Sequence, residues 1–72
     1  MQTSTETLVK VCLTRPAVAM SQIMGGDIEK SLRALRQFPR ALQSLHYADN
    51  ATVKVKQSIE DHLAEMGYKW LT

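Results

Sequence analysis

Two prolines and an adjacent pair of glycines divide the first half of the chain into segments of helical length. Pro16 and Pro39 each disfavour the α conformation in the residue before them, so a helix that reaches either proline should end just before it. Gly25 and Gly26 can end the helix between the prolines, because at least one of them can adopt a positive φ at little cost. The sequence therefore predicts three short helices before residue 39.

The first predicted helix has a start signal and an apolar stripe. Thr3 as N-cap and Glu6 at the third helical position would form a capping box, which satisfies backbone donors of the first turn. Leu8, Val11 and Cys12 follow at helical spacing. We therefore expect a helix that ends shortly before the first proline and buries Cys12 as a small apolar side chain.

The second predicted helix is largely apolar. Pro16 suits its first position, where a missing backbone donor does no harm. Within the segment that runs to Met24, only Ser21 and Gln22 are expected to be exposed. This element should therefore belong to the core.

The third predicted helix combines a cap with a regular apolar face. Asp27 is a good N-cap, and we expect the helix to run from residue 28 to about residue 37. Ile28, Leu32 and Leu35 share one side of it at helical spacing. That side should face the core.

Basic residues are concentrated in and just after this third helix. Residues 30–40 contain Lys30, Arg33, Arg36 and Arg40 and no acidic residue. At about 100° per residue, Lys30 and Arg33 point away from the apolar face and Arg36 lies on its flank. An ordinary solvated helix face would look the same. The net charge of +2 and the pI near 8.9 permit a nucleic-acid partner without requiring one.

Two interpretations compete for the segment from residue 40 to residue 57. In the favoured one, residues 41–47 and 52–55 are strands of a β-hairpin, because Thr-Val-Lys-Val alternates like a half-buried strand. Ser58 would then begin a final helix. In the alternative, Pro39 opens a short helix and Asn50 caps a long one that includes Val55 and Ile59.

The C-terminal segment is amphipathic. Ile59, Leu63, Met66 and Trp70 recur at helical spacing, and Gly67 is suited to end the helix. We expect the residues after this glycine to form a short tail that can fold back on the chain.

Composition limits the class of protein. With 72 residues, of which 44% are hydrophobic, the chain is expected to form one small globular domain over residues 1–72, and self-association would add stability. A single cysteine fits a reducing compartment. No apolar run approaches the ~18 residues of a membrane span, and the polar N-terminus is unlike a signal peptide. We therefore expect a soluble, cytoplasmic protein without a membrane partner.

Catalytic and metal-binding signatures are weak. His46 and His62 are not accompanied by the cysteines or carboxylates of a zinc site. Glu60 and Asp61 are adjacent and point to different sides of a helix, so they do not form a catalytic pair. We therefore predict that the protein is not an enzyme and needs no metal or cofactor.

The middle of the chain resembles a helix-turn-helix protein when Gly25 is taken as the turn glycine. Ser21 then occupies the small position of the first helix, and Leu32 and Leu35 are core positions of the second. The hairpin interpretation is similar to the wing of winged-helix proteins, so the resemblance covers roughly residues 16–56. It implies a small, mainly α domain with a three-helix core, a β-hairpin wing and a C-terminal helix. The alternative is an all-α helix-turn-helix bundle.

The resemblance also implies a function and a set of contact residues. A small transcriptional regulator would bind double-stranded DNA as a homodimer, with its second motif helix in the major groove. The implied DNA contacts are Ser21, Gln22, Glu29, Lys30, Arg33, Arg36, Gln37, Arg40, Lys54 and Lys56. The implied dimer or partner contacts are Met66, Tyr68 and Trp70.

A protein-binding adaptor or inhibitor is the alternative hypothesis. Its basic residues would meet an acidic protein, and Met20, Met24, Tyr68 and Trp70 would supply apolar contacts. The low net charge favours this alternative.

Overall fold

The computed structural model describes residues 5–70, which form five α-helices and one turn of 3-10 helix. The α-helices are α1 (Thr5–Thr14), α2 (Pro16–Met24), α3 (Ile28–Ala34), α4 (Pro39–His46) and α5 (Val53–Glu65), and the 3-10 turn (Leu35–Gln37) prolongs α3. This part of the chain contains no strand, so the favoured β-hairpin wing is wrong and the all-α alternative describes it. The capping box predicted at Thr3 lies outside the described residues.

The prolines and Asp27 set the helix boundaries as the sequence predicted. Pro16 and Pro39 each occupy the first turn of a helix, so each proline both ends one helix and begins the next. The Asp27 side chain accepts a hydrogen bond from the Lys30 backbone N–H at 3.1 Å, which caps α3. Local chemistry therefore accounts for the first three helices.

The glycine pair ends α2 without the left-handed conformation that was predicted. Gly25 has a φ of −80°, and Gly67 is the only residue among 5–70 with a positive φ. The Gly26 backbone N–H donates to the Ile23 carbonyl at 3.1 Å. Helix α2 therefore ends in a tighter turn of 3-10 type rather than in a left-handed residue. Met24 was also misplaced in the core, since 39% of its surface is exposed.

The segment predicted as a hairpin is helical, and its two alternating valines consequently lie on different sides of α5. Val53 is 86% exposed, whereas Val55 is buried on the helical line that continues to Ile59. The Thr52 hydroxyl oxygen accepts a hydrogen bond from the Val55 backbone N–H at 3.2 Å and caps α5. The helical alternative named Asn50 as the cap of this helix, and that prediction is wrong. The hairpin interpretation began the final helix at Ser58, which instead lies inside α5.

Helix α4 lies at the centre of the fold. It contacts α1, α2, the 3-10 turn and α5. The buried core that these elements share consists of Cys12, Ala19, Met20, Ile23, Leu32, Leu35, Ala41, Leu42, Leu45, Ala48, Val55, Ile59 and Leu63. Burial raises the pKa of the Cys12 thiol to about 11. Cys12 thus serves as a packed apolar side chain, as predicted.

The C-terminal tail folds back on α4 after a left-handed turn. Gly67 has a φ of +64°, and the Tyr68 backbone N–H donates to the Leu63 carbonyl at 3.0 Å in the pattern of a Schellman motif. The Tyr68 hydroxyl donates to Oε1 of buried Gln43 at 2.7 Å. The Trp70 ring packs edge-on against His46, with centroids 5.0 Å apart.

Candidate nucleic-acid interface

Four basic side chains are exposed along α3, the 3-10 turn and the start of α4. We call Lys30, Arg33, Arg36 and Arg40 the basic face. Leu32 and Leu35 are fully buried on the opposite side, so the orientation of α3 is fixed by the core. The sequence prediction for this helix was therefore right about which side faces solvent.

The amino end of α3 is acidic as well as capped. Asp27 is held by its bond to the Lys30 backbone N–H, and Glu29 is exposed in the first turn. Carboxylates at this position interact favourably with the helix dipole. The acidic pair therefore has a structural role at the start of α3, while Arg33 occupies the last turn.

Arg36 forms an ion pair with the last residue of α5. Its Nη2 lies 3.4 Å from Oε2 of Glu65, and both side chains are substantially exposed. Within residues 5–70, Arg36 is the one member of the basic face that forms an ion pair. Gln37 and Arg40, which follow it along the chain, are exposed.

Lys54 reaches the start of α3 from a helix rather than from a wing. A groove of about 400 Å³ lies between α2, α3 and α5. The residues that line this α2–α3–α5 groove are Met24, Ile28, Glu29, Thr52, Lys54, Val55 and Ser58. Lys54 and Glu29 thus line the same groove.

Lys56 points elsewhere. Two residues along an α-helix correspond to about 200° of rotation, so Lys54 and Lys56 lie on different sides of α5. Lys56 is also half-buried, whereas Lys54 is exposed. The structure therefore brings Lys54, and not Lys56, to the start of α3.

Ser21 and Gln22 lie on the exposed side of α2. The Ser21 hydroxyl oxygen accepts a hydrogen bond from the Asn50 side-chain amide at 2.7 Å. The same amide nitrogen donates to the Ala17 carbonyl at 3.0 Å. Ser21 consequently helps to fasten α2 to the loop between α4 and α5, while Gln22 remains on the surface.

The two histidines are separate from the basic face. His46 Nε2 lies 3.4 Å from Oε2 of Glu60, and its ring contacts Tyr47 and Trp70. Residues 5–70 contain no group of three or more His, Cys, Asp or Glu side chains placed to hold a metal ion. His62 is half-buried on α5.

Two long-range contacts were not predicted from the sequence. Asn50, which was considered only as a helix cap, bonds to residues of α2, and Glu65 bonds to the 3-10 turn, each across 29 or more positions in the chain. No local pattern predicts these contacts, because the partners become neighbours only after the helices pack.

Comparison of the chain with protein-family models, with curated proteins and with solved structures found no match. Over residues 5–70, no helix combines the length and the apolar character needed to cross a bilayer.

Proposed function

We propose that this protein is a small sequence-specific DNA-binding transcriptional regulator and has no enzymatic activity. In this proposal α2, the turn at residues 25–27 and α3 act as a helix-turn-helix unit, with α3 entering the major groove. The supporting observation is the exposed basic face. Lys30 and Arg33 lie on α3, whose other side is anchored in the core by Leu32, and Arg36 and Arg40 follow on the 3-10 turn and α4. A rigidly anchored helix can hold side chains in register with base edges.

The members of the basic face are assigned different tasks. Arg33 lies in the outward last turn of α3 and is the best candidate for a bidentate contact with guanine. Lys30 and Arg40 flank it and would contact phosphates, which fix position without reading sequence. Gln37 is exposed beyond Arg33 and would contact either a base edge or the backbone.

Residues outside α3 extend the proposed surface. Lys54 lies beside the amino end of α3 and would contact a neighbouring phosphate. Gln22 on α2 would contact the backbone, and Glu29 would accept a hydrogen bond from a cytosine amino group. We leave Lys56 and Ser21 out of the primary contacts, because Lys56 is on another side of α5 and Ser21 bonds to Asn50.

The regulator is proposed to act as a cytoplasmic homodimer. Met66, Tyr68 and Trp70 are each half-buried and pack against the core. Tyr47, which is 62% exposed, lies next to Trp70, with ring centroids 6.1 Å apart, and the Tyr68 ring also contacts Trp70. A second copy would cover this aromatic surface.

Selection of binding sites from random duplex DNA tests the proposal. We expect a recovered motif with two-fold symmetry and an affinity that falls steeply with salt, because phosphate contacts release counterions. Arg33→Ala should weaken binding and relax the preference at one base position, whereas Lys54→Ala should weaken all sequences about equally.

Lys10→Ala is the control for Arg33→Ala. Lys10 is also an exposed basic residue, but it lies on α1, outside the proposed DNA-binding and dimer surfaces. Both substitutions remove one positive charge, and only Arg33→Ala removes it from α3. Equal binding of wild type, Lys10→Ala and Arg33→Ala to the selected DNA would contradict the proposal.

A protein-binding adaptor or inhibitor is the second candidate function. The α2–α3–α5 groove favours it, because Met24 and Ile28 offer apolar surface next to the charged pair Glu29 and Lys54. Met20 is excluded as a contact, since it is fully buried. Two results together would support this function over the first. The protein would bind one stoichiometric protein partner and lose that binding in Met24→Lys, and it would not be retained on DNA at low salt.

A further inference from the structure

Glu65 is held against the basic face by the core of the protein. It is the last residue of α5, and Ile59 and Leu63 anchor the preceding turns of that helix in the core. The carboxylate therefore belongs to a fixed element rather than to a mobile tail. Its contact with Arg36 places one negative charge within the basic face.

The two ends of α5 each approach the segment formed by α3 and the 3-10 turn. Lys54 near the start of α5 shares a groove with Glu29 near the start of α3. At the other end, Glu65 meets Arg36 on the 3-10 turn. A duplex placed along α3 would consequently approach α5 as well, and its phosphates would meet Arg36 where Glu65 already contacts it.

We infer that Glu65 is a built-in competitor that occupies Arg36 until a DNA phosphate displaces it. The inference rests on the proposed DNA-binding function and concerns its regulation. The Arg36–Glu65 pair is exposed and singly bonded, and pairs of this kind are weak enough to exchange. The carboxylate thus lowers the affinity for every duplex by the same factor and leaves base preference unchanged.

Glu65→Gln tests the inference, with Glu60→Gln as its matched control. Both substitutions remove one exposed negative charge from α5, but Glu60 faces His46 rather than the basic face. We expect Glu65→Gln to raise the affinity for duplex DNA about two- to five-fold, as the strength of an exposed pair implies. Glu60→Gln should produce a smaller change.

A double-mutant cycle shows whether the effect passes through Arg36. In an Arg36→Gln background, Glu65→Gln and Glu60→Gln should change the affinity for DNA by the same amount. The increase should be the same for the selected site and for an unrelated duplex. Thermal unfolding of each variant identifies any change caused by loss of folded protein.

The outcomes separate this inference from the function on which it rests. Failure of the wild-type protein to bind any duplex at low salt would overturn both. If the wild type binds DNA and the Glu65→Gln and Glu60→Gln variants bind it with equal affinity, the inference alone is overturned. The same holds if Glu65→Gln raises the affinity as much in the Arg36→Gln background as in the wild type.

Discussion

The Asn50 side-chain nitrogen lies 2.7 Å from the Ser21 hydroxyl oxygen and 3.0 Å from the Ala17 carbonyl oxygen. A single amide in the α4–α5 loop thus bonds to two residues of α2. This connection fixes the loop from which α5 starts. It also fixes α2 relative to that loop.

Asn50→Ala should therefore destabilise the protein by about 1–2 kcal/mol, because two hydrogen bonds are lost. Ser21→Ala, which removes one of them, should cost about half as much. Urea-induced unfolding measures both free energies. Asp49→Ala is the control, since the exposed neighbouring side chain should contribute less than about 0.5 kcal/mol; an equal loss in Asp49→Ala would contradict the role given to Asn50.

The two glycine sites should respond in opposite directions to alanine. Gly67 has a φ of +64°, a conformation in which a side chain costs roughly 1–2 kcal/mol. Gly67→Ala should lower the free energy of unfolding by about that amount. Gly26 has no positive φ, and an added Cβ would lie 4.0 Å from the nearest carbonyl oxygen, so Gly26→Ala should be neutral or stabilise by about 0.5 kcal/mol.

Thermal unfolding of the two alanine variants under identical conditions compares these sites directly. A higher melting temperature for Gly67→Ala than for Gly26→Ala would contradict the prediction.

The hydroxyl of Tyr68 should contribute measurably to the attachment of the tail. Tyr68→Phe removes the bond to buried Gln43 and should cost about 1 kcal/mol. Tyr47→Phe makes the same chemical change on a ring that is 62% exposed and should have little effect. Chemical denaturation of the two variants gives the comparison, and similar stabilities would show that the Tyr68 bond contributes nothing net.

Stability should decrease in alkaline solution because of Cys12. Burial raises the pKa of this thiol from 9.0 to about 11 in the folded protein. The unfolded chain therefore ionises first, and the free energy of unfolding should fall as pH rises from about 9 to 11, by roughly 2 kcal/mol for this group alone.

The Cys12 contribution can be isolated by difference. The pH dependence of wild type should be compared with that of Cys12→Ala, so that contributions common to both proteins cancel. The wild type should lose more stability over this range. Parallel curves for the two proteins would contradict the assigned cause.

Sequence reasoning succeeded where structure is determined locally. A proline at the start of a helix, an aspartate cap and leucines at helical spacing act within a few residues, and Pro16, Asp27 and Leu32 behaved as predicted. The basic face was predictable for the same reason, since the buried leucines determine which side of α3 is outside.

Sequence reasoning failed where the local pattern was ambiguous. Val53 and Val55 alternate with lysines, which is typical of a half-buried strand, yet only Val55 is buried. The helical alternative prevails because Thr52 caps α5 and Val55 aligns with Ile59 and Leu63. Propensity is a weak guide when tertiary burial decides between the two conformations.

Contacts between residues far apart in the chain could not be predicted from the sequence, for a different reason. Glu65 and Asn50 have no local feature that predicts their partners in the 3-10 turn and α2. Their roles depend on how α5 and the α4–α5 loop pack against earlier elements. One sequence alone contains no direct record of such proximity.

The central position of α4 has a consequence for local opening. Because α4 is covered by α1, α2, the 3-10 turn and α5, its backbone amides should exchange with solvent deuterium only when the whole fold opens. Helix α3 is short and lies at the edge of this arrangement, so its amides should exchange through smaller fluctuations. The protein thus combines a slowly exchanging centre with a surface helix whose amides exchange while the core stays closed.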